Sequence, residues 1–373
     1  MRGQARLGEE KISKLLMEFS IPAIIGMVVN TLYNIVDRMY IGNIKDIGGL
    51  ALTGVGITMP IMTIIMAFGM LIGIGTSARI SLKLGEHKRE EAEKHLGNAF
   101  TLIIIASVLI TIIGLVFMHK ILGLFGASAD TEIYAREYMQ IIFFGTIFNM
   151  LSFGLNHSIR SDGSPKVAML SMLIGAGTNI ILDPIFIFVF GMGVRGAAIA
   201  TVISQIVSTI WILYYFTKGK SNLKIKREYL SLDKAIVLSI FSIGVSPFSM
   251  QIAQSIVQVL ANNALKTYGG DLAIGAMTAL TSILLMFMMP VFGLNQGMQT
   301  IISYNYGAKQ YERAKKTLIL SIIVSVVILS FGFLVVQVFP EVFVGIFNKD
   351  SDLMDIAVRG ISLNLITLPI MGI

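Results

Sequence analysis

The chain has 373 residues, of which 55% are hydrophobic and only 14% charged, with a net charge of +7 and no cysteine. An ordinary soluble domain carries roughly a quarter charged residues, and without thiols there are neither disulfides nor thiolate metal sites. Stretches free of Asp, Glu, Lys and Arg run over 47–78, 95–119, 196–217, 235–265 and 272–308, each longer than the ~20 apolar residues needed to cross the hydrocarbon core of a bilayer.

Helices are the expected spanning form, because every backbone polar group must be satisfied within its own segment. The strict alternation of a membrane β-barrel is absent. The N-terminal twenty residues mix both charge signs and lack a small-residue cleavage site, so the first span is expected to be retained. In chain order the predicted spans are 17–41, 50–78, 96–118, 133–158, 167–190, 194–217, 235–265, 272–304, 317–340 and 356–373. With a cytoplasmic N-terminus, the segments 1–16, 79–95, 159–166, 218–234 and 305–316 hold 21 of the 29 Lys and Arg. This asymmetry predicts a multi-pass inner-membrane protein with its N-terminus inside. It also accounts for the positive charge without nucleic acid; the run KGKSNLKIKR (218–227) reads as a topology signal and lipid-headgroup contact.

A shift of 222 residues lays the sequence over itself. ISLKLGEHKREEAEK (80–94) falls on ISYNYGAKQYERAKK (302–316), matching Ile80, Ser81, Gly85, Glu90, Ala92 and Lys94. GGLA (48–51) falls on GDLA (270–273), and LGLFGASAD (122–130) on VGIFNKDSD (344–352). Six spans lie in the repeat unit, an even number, so both copies enter the membrane from the same side. The expectation is an all-α polytopic protein of two pseudo-symmetric lobes, 1–222 with six helices and 223–373 with about four, the second ending inside its fourth span.

Charge inside a membrane is costly and usually functional. Asp183 is the only charged residue between Lys166 and Arg195, and Asp37 lies about one turn from the outer end of the first span. Asn179 stands four residues before Asp183, on the same helical face. Pro184 removes a backbone donor and frees carbonyls there, while Thr201 adds an oxygen from the next helix. Counting ~1.5 Å per residue, Asp37, Asp183 and Thr201 all lie ~6–12 Å inside. Three helices thus offer oxygens at one level, as a proton or Na⁺ site requires. Two plainer readings stand beside this: an interfacial Asp37–Arg38 ion pair, and a structural, permanently protonated Asp183. In the second copy Asp37 is replaced by Val259, with Gln251, Gln254 and Gln258 nearest, so the coupling chemistry is expected in the first lobe, with a second site left open to the helices missing from the second copy.

His87, His95, His119 and His157 show no ligand spacing, and the Gly-rich 54–60 and 73–80 lie within apolar spans, where they serve close packing. No GxxxxGK[ST] occurs, so no ATP use is expected. The 22 Met and 22 Phe read mainly as core or lipid-facing groups, with some able to line a plastic cavity.

The doubled lobes, the Asp in the first helix and NIILDPIFIFVFGMGVRGAAIATVISQ (179–205) resemble the multidrug and toxic compound extrusion (MATE) family. The resemblance implies a V-shaped pair of lobes that export organic cations in exchange for H⁺ or Na⁺, with no other cofactor, acting as a monomer. It implies coupling residues at Asp37, Asn179, Asp183 and Thr201, with any Na⁺ held by these four. Supporting polar groups are implied at Tyr138 and Asn156, and a bending proline at Pro22. The family's acidic position early in the seventh helix is Gln251 or a neighbour here. Two rivals remain: a lipid-linked precursor flippase, which calls for a cationic cavity, and an intramembrane enzyme, which calls for a DDxxD or HExxH pair that the spans lack.

Overall fold

The computed structural model describes residues 2–341 and 370–372. Among them there is no strand, and eight stretches are helical, long and apolar enough to cross a membrane. The helices are α1 (Arg2–Glu9), α2 (Ile12–Gly42), α3 (Gly48–Ile57), α4 (Met59–Gly85), α5 (Arg89–Val116) and α6 (Met118–Leu124). They continue with α7 (Ala129–Ser161), α8 (Pro165–Pro184), α9 (Gly193–Thr217), α10 (Lys234–Gly307) and α11 (Tyr311–Val338). The predicted span 50–78 divides at Thr58 because Pro60 has no N–H and suits the first turn of α4. The span expected at 356–373 lies outside the described residues apart from a turn at Ile370–Gly372, as do the side chains of Gln258 and Val259.

The spans expected at 235–265 and 272–304 form one helical element of 74 residues with Pro247 and Pro290 inside it. Straight, it would be about 111 Å long, several bilayer cores. Yet Ile240 and Tyr304 both lie on α4, against Gly75 and Gly85, which are ten residues and ~15 Å apart. The element is therefore not straight, and its two ends form neighbouring arms on α4.

These arms make contacts that exchange residues 222 apart. Gly85 packs on the backbone carbonyl of Tyr304, and Gly307 on that of Leu82, so 85 with 304 and 307 with 82 are one contact seen from both sides. A second pair, Gly75 on Ile240 and Gly297 on Ser20, follows the same exchange to within two residues. Such reciprocity is what a two-fold relation between like surfaces produces. Only a residue without Cβ permits this approach, since a methyl at any of the four would overlap backbone or side-chain atoms across the interface.

The connector 218–233 is tied down by two buried carboxylates. Asp162, just after α7, accepts from the Tyr215 hydroxyl at 2.5 Å and from the amides of Asn222 and Leu223 at 2.9 and 3.1 Å. Glu93 on α5 pairs with Lys226 at 2.7 Å and with Arg89 at 3.5 Å. Nearby, Asn98 accepts from the Asp233 amide at 2.8 Å, and Thr101 donates to the Leu230 carbonyl at 2.7 Å. Residues read from sequence as a topology signal and lipid-headgroup contact thus also brace the join between the chain's two halves.

Burial pushes the Asp162 carboxyl up to about 6, against the opposing pull of its donors. Because this lies above the ordinary carboxylate value, folding takes up a proton between about 4 and 6. Asp162 thus favours the folded state below that window and loses the contribution as pH rises through about 6. Acidification from pH 7.5 to 5 should raise the thermal midpoint of the native protein relative to Asp162→Asn; parallel midpoints would contradict it. Asp162→Ala takes the carboxylate acceptor from the Asn222 and Leu223 amides, at about 1–3 kcal/mol each when buried, while the Tyr215 hydroxyl keeps Ser164 Oγ at 2.8 Å, and should lower the midpoint by several degrees at both pH values.

Candidate functional site

Near one end of the bundle formed by the first half, α2, α7, α8 and α9 bring their polar residues together. On α8, Asn179 and Asp183 are fully buried, and the Asn179 amide donates to Asp183 Oδ1 at 3.1 Å, as the four-residue spacing allows. The same amide points to Thr201 Oγ1 on α9 at 3.4 Å. From α2 the buried Asp37 brings its carboxyl within hydrogen-bonding reach of Asp183. From α7 the Tyr138 hydroxyl reaches Thr201. Residues 37, 179, 183 and 201, distant in sequence, are contiguous in space.

Local backbone chemistry shapes this end. Pro184 closes α8, and residues Ile185–Val189 continue as a π-turn, with the Phe190 amide donating to Ile185 O at 2.9 Å. Such turns recur at functional sites because they loosen the regular ladder. Gly196 lets α9 come against this turn: a Cβ there would sit 2.7 Å from the carbonyl of Phe186. Ser208 fastens α9 to α8 by donating to Ser171 O at 3.0 Å. Outside Asp37, Tyr40 meets Phe188 of the π-turn edge to face, with centroids 6.1 Å apart.

The remaining valences show what the cluster lacks. Asp37 Oδ1, Asp183 Oδ2 and Asn179 Oδ1 are buried without a hydrogen-bond partner. Buried acceptors are nearly always paired, and two facing carboxyls cannot both be anions at such a separation without severe repulsion. Three orphan acceptors around a carboxyl pair fit a proton, shared between the two acids, or a small hard cation ligated by oxygen. Among the described residues no group of three or more His, Cys, Asp or Glu could hold a metal ion, so a transition-metal centre is not what the cluster offers.

Arg38 turns outward, its guanidinium reaching Met59 Sδ at 3.2 Å, and makes no ion pair with Asp37 among the described residues. Tyr33, which sequence reasoning passed over, stands one turn before Asp37 and lies close to both carboxyls; its i, i+4 spacing on α2 was the available signal. Asn156 is placed elsewhere. Its amide donates to Ala168 O at 2.8 Å and to Ser171 Oγ at 2.6 Å, near the start of α8. It stands eighteen residues from Tyr138 on α7, ~27 Å along the axis. Pro22 is buried inside α2, fifteen residues before Asp37, where it removes the amide that would donate to the Glu18 carbonyl.

Comparison with known proteins identifies the family of the chain. The MatE family model matches residues 22–185 and 247–373, two stretches that open on Pro22 and Pro247. Multidrug export protein MepA of Staphylococcus haemolyticus is 30% identical over 98% of the chain and 80% of that protein, and MepA of Staphylococcus aureus is 28% identical over 97% and 79%. The outward-facing structure of a multidrug resistance MATE transporter of the MOP superfamily superposes with a TM-score of 0.93 at 26% identity, covering all of this chain and 82% of that one. With its helical spans and this match across most of its length, the chain belongs to the MATE family of multidrug efflux transporters.

Proposed function

We propose that the protein exports small organic cations in exchange for a coupling ion loaded at Asp37, Asn179, Asp183 and Thr201. The observation that carries this reading is the facing pair of carboxyls from two helices, surrounded by buried acceptors that have no donor. A single proton between Asp37 and Asp183 satisfies the pair and lowers its charge. Na⁺ is the second reading, favoured by the same unpartnered oxygens of Asp37, Asn179 and Asp183. A membrane-embedded cation discriminates against a second positive charge, so drug and coupling ion exclude one another from the first lobe, which is the condition for antiport.

The lobes are residues 1–222 and 223–373, related by an axis along the membrane normal; the reciprocal contacts of Gly85 and Gly307 support the division. The N-terminus faces the cytoplasm of the inner membrane, a reading supported by the concentration of Lys and Arg in 1–16, 79–95 and 218–234. Pro22 supplies the pivot about which α2 bends once the carboxyl pair is neutralised, drawing Asp37 with it. Between α2 and α10 the thioethers of Met27 and Met289 receive hydrogen bonds from Gln296 and Thr31 at 3.4 and 3.5 Å. Such soft, flexible groups suit binding of varied apolar cations.

The test is ethidium export from proteoliposomes with pH and Na⁺ gradients imposed separately. Export driven by the pH gradient alone supports the shared proton, and export that needs Na⁺ supports the second reading. Indifference to both gradients, with export intact, would overturn ion coupling at this site.

A further inference from the structure

On the outer surface of the first half, a groove of about 540 Å³ is lined by Leu115, Val116 and Met118 near the junction of α5 and α6, and by Arg136, Gln140 and Phe144 on α7, with His119 at its rim. Arg136, Gln140 and Phe144 are four residues apart, on one face of α7, so polarity falls with each turn away from the helix start. The opposite wall follows the same order, from the exposed His119 to the exposed Val116 and then Leu115. At its floor α5 and α7 are pressed together: Gly114 receives the Phe143 ring, and Thr111 donates to Phe143 O at 2.7 Å. Beyond, α5 ends at Val116.

The charge in this groove is unbalanced. Glu132, four residues before Arg136, is held by His119, and Glu137 pairs with Arg195 at 2.9 Å. Arg136 makes no ion pair or hydrogen bond among the described residues and is exposed. A free guanidinium above an apolar cleft repels the cationic substrates proposed above and attracts an anionic head carrying an apolar tail. Guanidinium geometry matches the paired oxygens of a phosphate or a carboxylate.

We infer that this groove is a binding site for one anionic glycerophospholipid, its phosphate on Arg136 and the start of an acyl chain over Val116, Leu115 and Phe144. Two residues along α7 turn the helix by about 200°, so Tyr138 of the carboxyl cluster lies on the face opposite Arg136. The lipid backs the helix that carries Tyr138 without entering the cluster.

Native mass spectrometry of the purified full chain, titrated with phosphatidylglycerol, phosphatidylcholine and oleate, tests the site. One phosphatidylglycerol should be retained at collision energies that strip phosphatidylcholine and oleate. Arg136→Gln should lower its apparent affinity about fivefold, the equivalent of ~1 kcal/mol for one basic group at a membrane surface. Lys120→Gln, at the same end but outside the groove, should change nothing. Phe144→Ala should weaken phosphatidylglycerol while sparing a short-chain analogue. Equal losses in Arg136→Gln and Lys120→Gln, or equal retention of the three amphiphiles, would overturn the assignment; unchanged thermal midpoints in these surface variants separate either result from misfolding.

Discussion

Asp183→Asn and Asp37→Asn are each expected to abolish concentrative export while leaving the folded protein in the membrane. A pH difference of about 2 units is a hundredfold proton gradient, ~2.7 kcal/mol. Coupled one for one, it sustains a substrate gradient of about a hundredfold; without coupling that ratio relaxes to one. The Asn side chain keeps the shape of Asp, and its carbonyl oxygen can still accept from the Asn179 amide that now lies 3.1 Å from Asp183 Oδ1. What it loses is the exchangeable proton and the negative charge. Because the carboxyls face one another, they load as a unit, and the double variant should be no worse than either single one. Measured in vesicles with gradients imposed in turn, full gradient-driven export by both single variants would sink the role given to the pair.

The parts of this reading visible in sequence rest on local or periodic signals. Charge-free runs locate spans because a bilayer tolerates no unpaired charge, and Asp183 stands out for the same reason. The match of 80–94 with 302–316 marks the surfaces that meet at Gly85 and Gly307. What escaped depends on long-range packing. Asp162 and Glu93 look like ordinary loop and helix-end acids, and only the fold shows the connector 218–233 docking on them. Asn156 carries the right chemistry for a cation site, yet its depth on α7 commits it to Ala168 and Ser171. The break expected between the spans 235–265 and 272–304 is absent from the backbone, which runs through it as part of α10. Tyr33 is a case of legible spacing overlooked, since aromatic residues in apolar helices usually signal packing alone.

The second large effect concerns the interface rather than the ion site. Gly85→Leu places a branched side chain where the Tyr304 carbonyl now lies against bare Cα, and the helices must part by at least about 1 Å even for the first methyl. Gly307→Leu does the same against the Leu82 carbonyl. Neither position is in the interior of one half; each lies where α4 and the second arm of α10 meet. The expected outcome is therefore separation of the two halves at this end, with each half still folded. As the sequence has no cysteine, spin labels on cysteines introduced at Lys88 and Lys309, both in exposed turns beside the contact, report that separation directly. Both Leu variants should lengthen the label distance by several ångströms and cut export together, because they disturb one contact from its two sides. Gly123→Leu, where an added Cβ would meet nothing within 4 Å, serves as the control. An unchanged distance distribution in Gly85→Leu would mean that the glycine contact does not hold the halves closed, and the exchange relation between residues 222 apart would then lose its mechanical role.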